Sequence, residues 1–245
     1  MSLRSLKSSN PVFSDYFWED NNSGSRKMSV FGIFIKSFIS ILVISGIVAY
    51  IWKLSETGQS VRWFTLGGML GAIVISIFIS VRHHWAPLLV PLYVIAKGCF
   101  LGGFSAYAHN HFQELPYQAI GVTIVTFFVM LILYQTRIIV VTKRLRSVII
   151  TSVVSIMVVY LISWILSFFG IKSYIWATSW FAIGFNVLAS IVASFSLLLD
   201  FDYIERYKGR APKQKEWLAT WGLLATLIWL YVEVLRLMQK LAIRF

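Results

Sequence analysis

Charge is what this chain has least of. Only 13% of its 245 residues are Asp, Glu, Lys or Arg, where a soluble domain carries about a quarter. That shortage excludes an ordinary water-exposed surface. Acid is scarcer still, 10 residues against 22 bases, for a formal charge of +12. The bases lie in the segments between apolar blocks, where they set membrane orientation, so a nucleic-acid partner is rejected. There is a single cysteine, Cys99. No intrachain disulfide can form, and inside an apolar block the residue reads as a small packing group. Residues 1–27 lack an apolar h-region and a small-residue cleavage pattern, so no cleaved signal peptide is expected. No HExxH, GxSxG, P-loop or Gly-rich dinucleotide motif occurs. The chain therefore reads as a non-enzyme with no cofactor.

What it has in abundance is apolar residues, 58% of the whole, gathered in blocks of about 20, the length that crosses a bilayer as a helix. The expected fold is an all-α integral membrane protein with seven transmembrane helices, over about 30–52, 62–81, 85–107, 117–136, 147–169, 178–200 and 217–239. These form one domain, 28–245, after a polar N-terminal tail, 1–27, whose Asn10-Pro-Val-Phe13 patch could dock on the bundle or lie at the membrane interface. Lys and Arg cluster on alternate sides. One side holds Arg4, Lys7, Arg26, Lys27, Arg82, Arg137, Lys143, Arg144, Arg146, Arg206, Lys208, Arg210, Lys213 and Lys215. The other holds Lys53, Arg62, Lys172, Lys240 and Arg244. The asymmetry places the N-terminus in the cytoplasm and the C-terminus outside. Small residues at Gly67 and Gly71, and at Gly98 and Gly102, have the spacing that lets helices approach closely. Pro87 and Pro91 are expected to bend the third span. Lys36, near the start of the first span, is expected to snorkel to the headgroups.

Ionisable groups inside a bilayer are costly, about 2.5–3.5 kcal/mol each at mid-span on insertion scales, and so mark candidate sites. Asp200 ends the apolar run Leu197-Leu-Leu199 and faces the bundle. Asp202 points elsewhere and can pair with Arg206 at i+4. On the last span Glu233 and Arg236 are i,i+3 neighbours. Lys97 lies about 18 Å along its helix from Trp85 and Glu233 about 24 Å from Trp217, so a Lys97–Glu233 contact at matching depth is expected. The histidines fall on opposite sides, His83 and His84 on one and His109 and His111 on the other, and cannot share a metal. A retinal-type receptor needs a lysine in the middle of the last helix, where this chain has only Lys240, at the outer end.

These residues carry a resemblance. Leu199-Asp-Phe-Asp-Tyr-Ile-Glu205, Ala211-Pro-Lys213, Glu216-Trp217, Gly222-Leu-Leu224 and Trp229-Leu-Tyr-Val-Glu-Val-Leu-Arg-Leu237 are similar to the C-terminal half of the Bax inhibitor-1 family, closest to its bacterial branch. Asn10-Pro-Val-Phe13, Ala86-Pro-Leu-Leu89, Lys97-Gly-Cys-Phe-Leu-Gly102 and Ile139-Val-Val-Thr142 fit the same branch. The resemblance implies seven helices with the last central in the bundle, in a bacterial inner membrane. It implies a pH-sensitive calcium leak, in which two aspartates on the last two helices share a proton and latch the pore. Asp200 matches the first aspartate, with Ca²⁺ passing transiently. The second falls near Thr226, which is no carboxylate, and Lys97 stands where many relatives have Glu. A lone aspartate has no like partner for a shared proton, and a lysine in the pore repels Ca²⁺. The alternative is a non-conducting regulator that binds a membrane protease or another membrane partner. The lipid bilayer is the one partner both readings share.

Overall fold

The computed structural model describes residues 27–112, 114–170 and 174–244; the tail, with its Asn10-Pro-Val-Phe13 patch, lies outside the described residues. Seven helices long and apolar enough to cross a membrane account for nearly all of them: α1 Val30–Glu56, α2 Arg62–Val81, α3 Ala86–His111, α4 Leu115–Gln135, α5 Lys143–Phe168, α6 Trp180–Tyr207 and α7 Lys215–Arg244. Short 3₁₀ turns precede α3 and α6, at His83–Trp85 and Tyr174–Trp176. The helices overrun the apolar blocks where polar end residues still have a partner or a cap. α5 begins at Lys143 because the Thr142 hydroxyl caps Leu145 N–H at 3.2 Å, and α6 continues past Asp200 to Tyr207. Pro91 sits inside α3, which runs on through it.

Burial separates the helices. In α7, 78% of the apolar stretch is buried and in α6 56%, against 17–22% in α1, α2, α4 and α5. The last helix is the most enclosed. The outer ones present bare apolar side chains, among them Phe31, Leu70, Val125 and Leu161, which only a hydrocarbon surround makes favourable.

The chain divides into two units. One holds the chain up to His111 with Tyr203–Leu224; the other holds 112–202 with the chain from Ala225 on. In the first, α3 packs against both α1 and α2. A Cβ at Gly98 would lie 3.0 Å from Ile47, and one at Gly102 2.7 Å from Ile51, so these two glycines bring α3 close to α1. Against α2 the close approach is at Gly68, where a Cβ would meet Phe100 N at 2.5 Å and Ala96 O at 2.6 Å. Of the expected Gly67–Gly71 pair, Gly71 faces α3, where a Cβ would lie 3.7 Å from Ala96, whereas Gly67 opens on empty space. Gly67 instead lines an apolar groove with Trp63, Leu92 and the half-buried Cys99.

The start of α1 is tied to the loop between α6 and α7. Met28 N–H donates to Ala211 O at 2.8 Å, and Gly209 N–H to Met28 O at 2.9 Å. Gly209 holds a left-handed φ of 70° there, which glycine adopts without a Cβ penalty. In the second unit, Phe201 is edge-on to Phe127 of α4, with ring centres 5.5 Å apart. Tyr160 of α5 is edge-on to Phe185 of α6, also at 5.5 Å.

Candidate functional site

Asp200 sits about five and a half turns into α6, beyond Leu197 and Leu198, both fully buried, and is itself 3% exposed. Its carboxyl group is hydrogen-bonded to the Thr226 side chain of α7. The Oδ2 atom is buried with no hydrogen-bond partner. The residue that stands where a second carboxylate was expected thus supplies a hydroxyl to the first. A carboxyl group held this way has one satisfied oxygen and one oxygen whose needs depend on whether it carries a proton.

Along the same two helices lies a second polar centre. Glu233 of α7 is 1% exposed. It accepts from Tyr160 Oη of α5 at 2.7 Å, from Asn186 Nδ2 of α6 at 2.9 Å and from Trp229 Nε1 at 3.1 Å. Arg236 lies 3.7 Å from it, with its guanidinium about equally far from the rings of Tyr160 and Trp176, at 5.1 and 5.0 Å. The i,i+3 pairing read from spacing is present, within a larger network. The carboxylate expected to face Lys97 finds its partners on α5, α6 and α7. Lys97, half-buried on α3, has its ammonium over the rings of Tyr93 and Phe100 at 5.6 and 5.5 Å; the aromatic faces supply electrostatic compensation.

Asp202 has an ion pair with Arg146 at the start of α5. Both side chains are nearly buried, at 13% and 10% exposure. Beside Arg206, the base four residues on that the spacing offers, the structure adds one 56 residues away, which helical periodicity cannot reveal.

One ionic site went unnoticed in the sequence. Glu216, in the first turn of α7, is fully buried. Its carboxylate accepts from Ser29 N–H at 2.9 Å and Ser29 Oγ at 3.2 Å, and pairs with Lys36 of α1. Ser29 is the N-cap of α1, its hydroxyl accepting from Gly32 N–H at 2.9 Å. In an ordinary capping box the third helical residue is a Glu that reaches back to the N-cap N–H. Here that residue is Gly32, and a Cβ on it would come within 2.5–2.7 Å of the Glu216 carboxylate. The missing side chain is supplied from α7. Lys36 consequently points inward, 18% exposed, with its ammonium 5.4 Å from the Trp217 ring. It does not snorkel to headgroups, because a buried anion and an aromatic face are nearer. A Ser followed by Gly at the third helical position, with a base four residues beyond, was the available signal.

The histidines are occupied locally. His83 and His84 have ring centres 4.3 Å apart in the turn before α3. His109 stacks on Trp52 at 4.8 Å, with Glu56 3.7 Å away. Among the described residues no group of three or more His, Cys, Asp or Glu could hold a metal ion.

A family model described as "Bax inhibitor 1 like" matches residues 10–243, nearly the whole chain. No curated protein matches, and no solved structure matches.

Proposed function

The chain belongs to the Bax inhibitor 1 like family, and from that membership and the polar groups of α6 and α7 we propose that it is a pH-sensitive leak for calcium or another cation. The observation that carries the reading is the Asp200–Thr226 hydrogen bond, with a carboxylate oxygen buried and unpartnered beside it. A buried carboxyl group that links two helices has different needs with and without its proton. Ionised, it favours water or a cation at Oδ2; protonated, it can close on a neighbouring oxygen. A shift between these states moves α6 against α7 and opens or closes a path. Thr226 takes over part of the second aspartate's work by holding Asp200, without competing for the proton. The basic loops then face the cytoplasm and the C-terminus lies outside, in a bacterial inner membrane.

The test is Ca²⁺ flux into liposomes holding the purified protein, between about pH 5 and 8, with Asp200→Asn alongside. The expected result is flux that changes with pH in the parent and not in the variant. Flux no greater than that of empty liposomes at every pH would refute the leak. The second reading, a non-conducting regulator of a membrane partner, is favoured by Lys97, a cation seated among aromatic rings in α3, which disfavours Ca²⁺ nearby. Capture of a membrane protease together with an absence of flux would select it.

A further inference from the structure

At the far end of α7 a lysine is held as though it were a bound ion. Lys240 is 8% exposed. Its ammonium donates to Ile175 O at 2.6 Å, to Ala182 O at 3.3 Å and to Asn186 Oδ1. All three partners are oxygens, two of them backbone carbonyls, and the three residues are buried. The other end of the Asn186 amide donates to Glu233 at 2.9 Å, so a carboxylate stands one residue behind the cage. One helical turn farther on, Arg244 donates to Thr178 O at 3.0 Å and lies 4.0 Å from the Trp180 ring. This fixes the segment that supplies the carbonyls.

Carbonyl and amide oxygens converging on one positive charge are the chemistry by which proteins coordinate alkali cations, replacing a hydration shell. An ammonium group carries the charge of such a cation and is close in size to potassium. We propose that Ile175, Ala182 and Asn186 form a monovalent-cation site, with Glu233 as its countercharge, and that the Lys240 ammonium is a tethered cation that fills it. The cage is neutral apart from Glu233, whose charge is already shared with Arg236, so it suits a single positive charge better than two. If the leak reading holds, Lys240 is also a plug at the outer end of α6 and α7. The cation site itself stands apart from that reading.

Lys240→Met removes the charge and keeps most of the stem. The variant and the parent are purified in detergent, and thermal unfolding is followed in potassium, sodium, calcium or choline chloride at equal ionic strength. The expected result is a rise in Tm of roughly 5 °C at saturating potassium in the variant and none in the parent. The response to calcium should be weaker, and Lys240→Met with Asn186→Leu should not respond. A folded Lys240→Met whose Tm is the same in all four salts would overturn the proposal. If that variant does not fold, Lys240→Ala is prepared with potassium or an alkylammonium ion, and with a neutral alcohol of the same size. Recovery of folded protein with the cations alone supports the site, and no recovery with any of them refutes it. Proteoliposome flux separates the two ideas. Greater monovalent flux in Lys240→Met than in the parent joins them, whereas a potassium-dependent Tm with no flux keeps the site and removes the leak.

Discussion

Lys36→Met tests the capping of α1 by α7. The change keeps the length of the side chain, removes its charge, and leaves Glu216 fully buried with only its two bonds from Ser29. Removing one partner of a buried ion pair costs about 3–5 kcal/mol. Lys36 retains 18% exposure, so the lower end applies, about 3 kcal/mol. For a chain of this length, that is a drop in Tm of roughly 6–12 °C at 2–4 °C per kcal/mol. Glu216→Leu should cost at least as much, since it also removes the acceptor for Ser29 N–H. The double variant removes both charges together, and its loss should fall short of the sum of the two by about 2 kcal/mol, the coupling expected of groups in direct contact. The assay is thermal unfolding of the four proteins in one detergent, with elution profiles confirming that each is folded. Strict additivity of the two losses would refute the buried pair, whatever the size of each.

The same site predicts that Gly32→Ala is destabilising, because its Cβ would press on the Glu216 carboxylate, and that most of the loss disappears in a Glu216→Ala background; Tm values of the three proteins decide it. Helix contact in the first unit gives a contrast between adjacent glycines. Gly68→Ala, forced against Phe100 N and Ala96 O, should lower Tm by several degrees. Gly67→Ala, facing open space, should be neutral or stabilising by about 0.5–1 kcal/mol. Arg146→Met should cost up to about 3 kcal/mol by taking the Arg146 guanidinium from the Asp202 carboxylate, and adding Asp202→Asn should recover part of that loss, as read by chemical denaturation. Thr226→Val leaves Asp200 without its hydroxyl partner, so the pH response of the flux should change, with a stability loss of about 1–3 kcal/mol; an unchanged flux profile would remove Thr226 from the site.

The spans were legible because lipid imposes one strong rule: about 20 apolar residues in a row, with the bases left outside. Asp200 and Glu233 were legible for the same reason, as charges where charge is costly. Their partners were harder to see. Thr226 drew notice only through its place in the family pattern. Asn186, Tyr160 and Lys240 gave no signal, because an amide, a phenol and a lysine at a helix end are ordinary one at a time and become a network only when α5, α6 and α7 are set side by side. Arg146 was read as a loop base and Glu216 only as part of the family pattern, since near a predicted boundary a charge is expected to find water. Helix extension beyond the apolar block, at Lys143 and at Lys215, carried both inward.

The borrowed cap of α1 also sets an order of events. Ser29 and Glu216 are 187 residues apart. At about 5–20 residues per second, roughly 10–40 s of synthesis separate them. Throughout that interval α1 is already made but lacks the anion that completes its first turn, and Lys36 has no carboxylate beside it. A lysine so placed can reach the headgroups with its long stem, which makes the snorkelling posture a feature of the nascent chain. Arrival of α7 then draws Lys36 inward and closes the N-terminal turn. The first of the seven helices is thus finished by the last, and a chain cut before Glu216 leaves α1 with the Ser29 hydroxyl still on Gly32 N–H but the Ser29 N–H without its carboxylate.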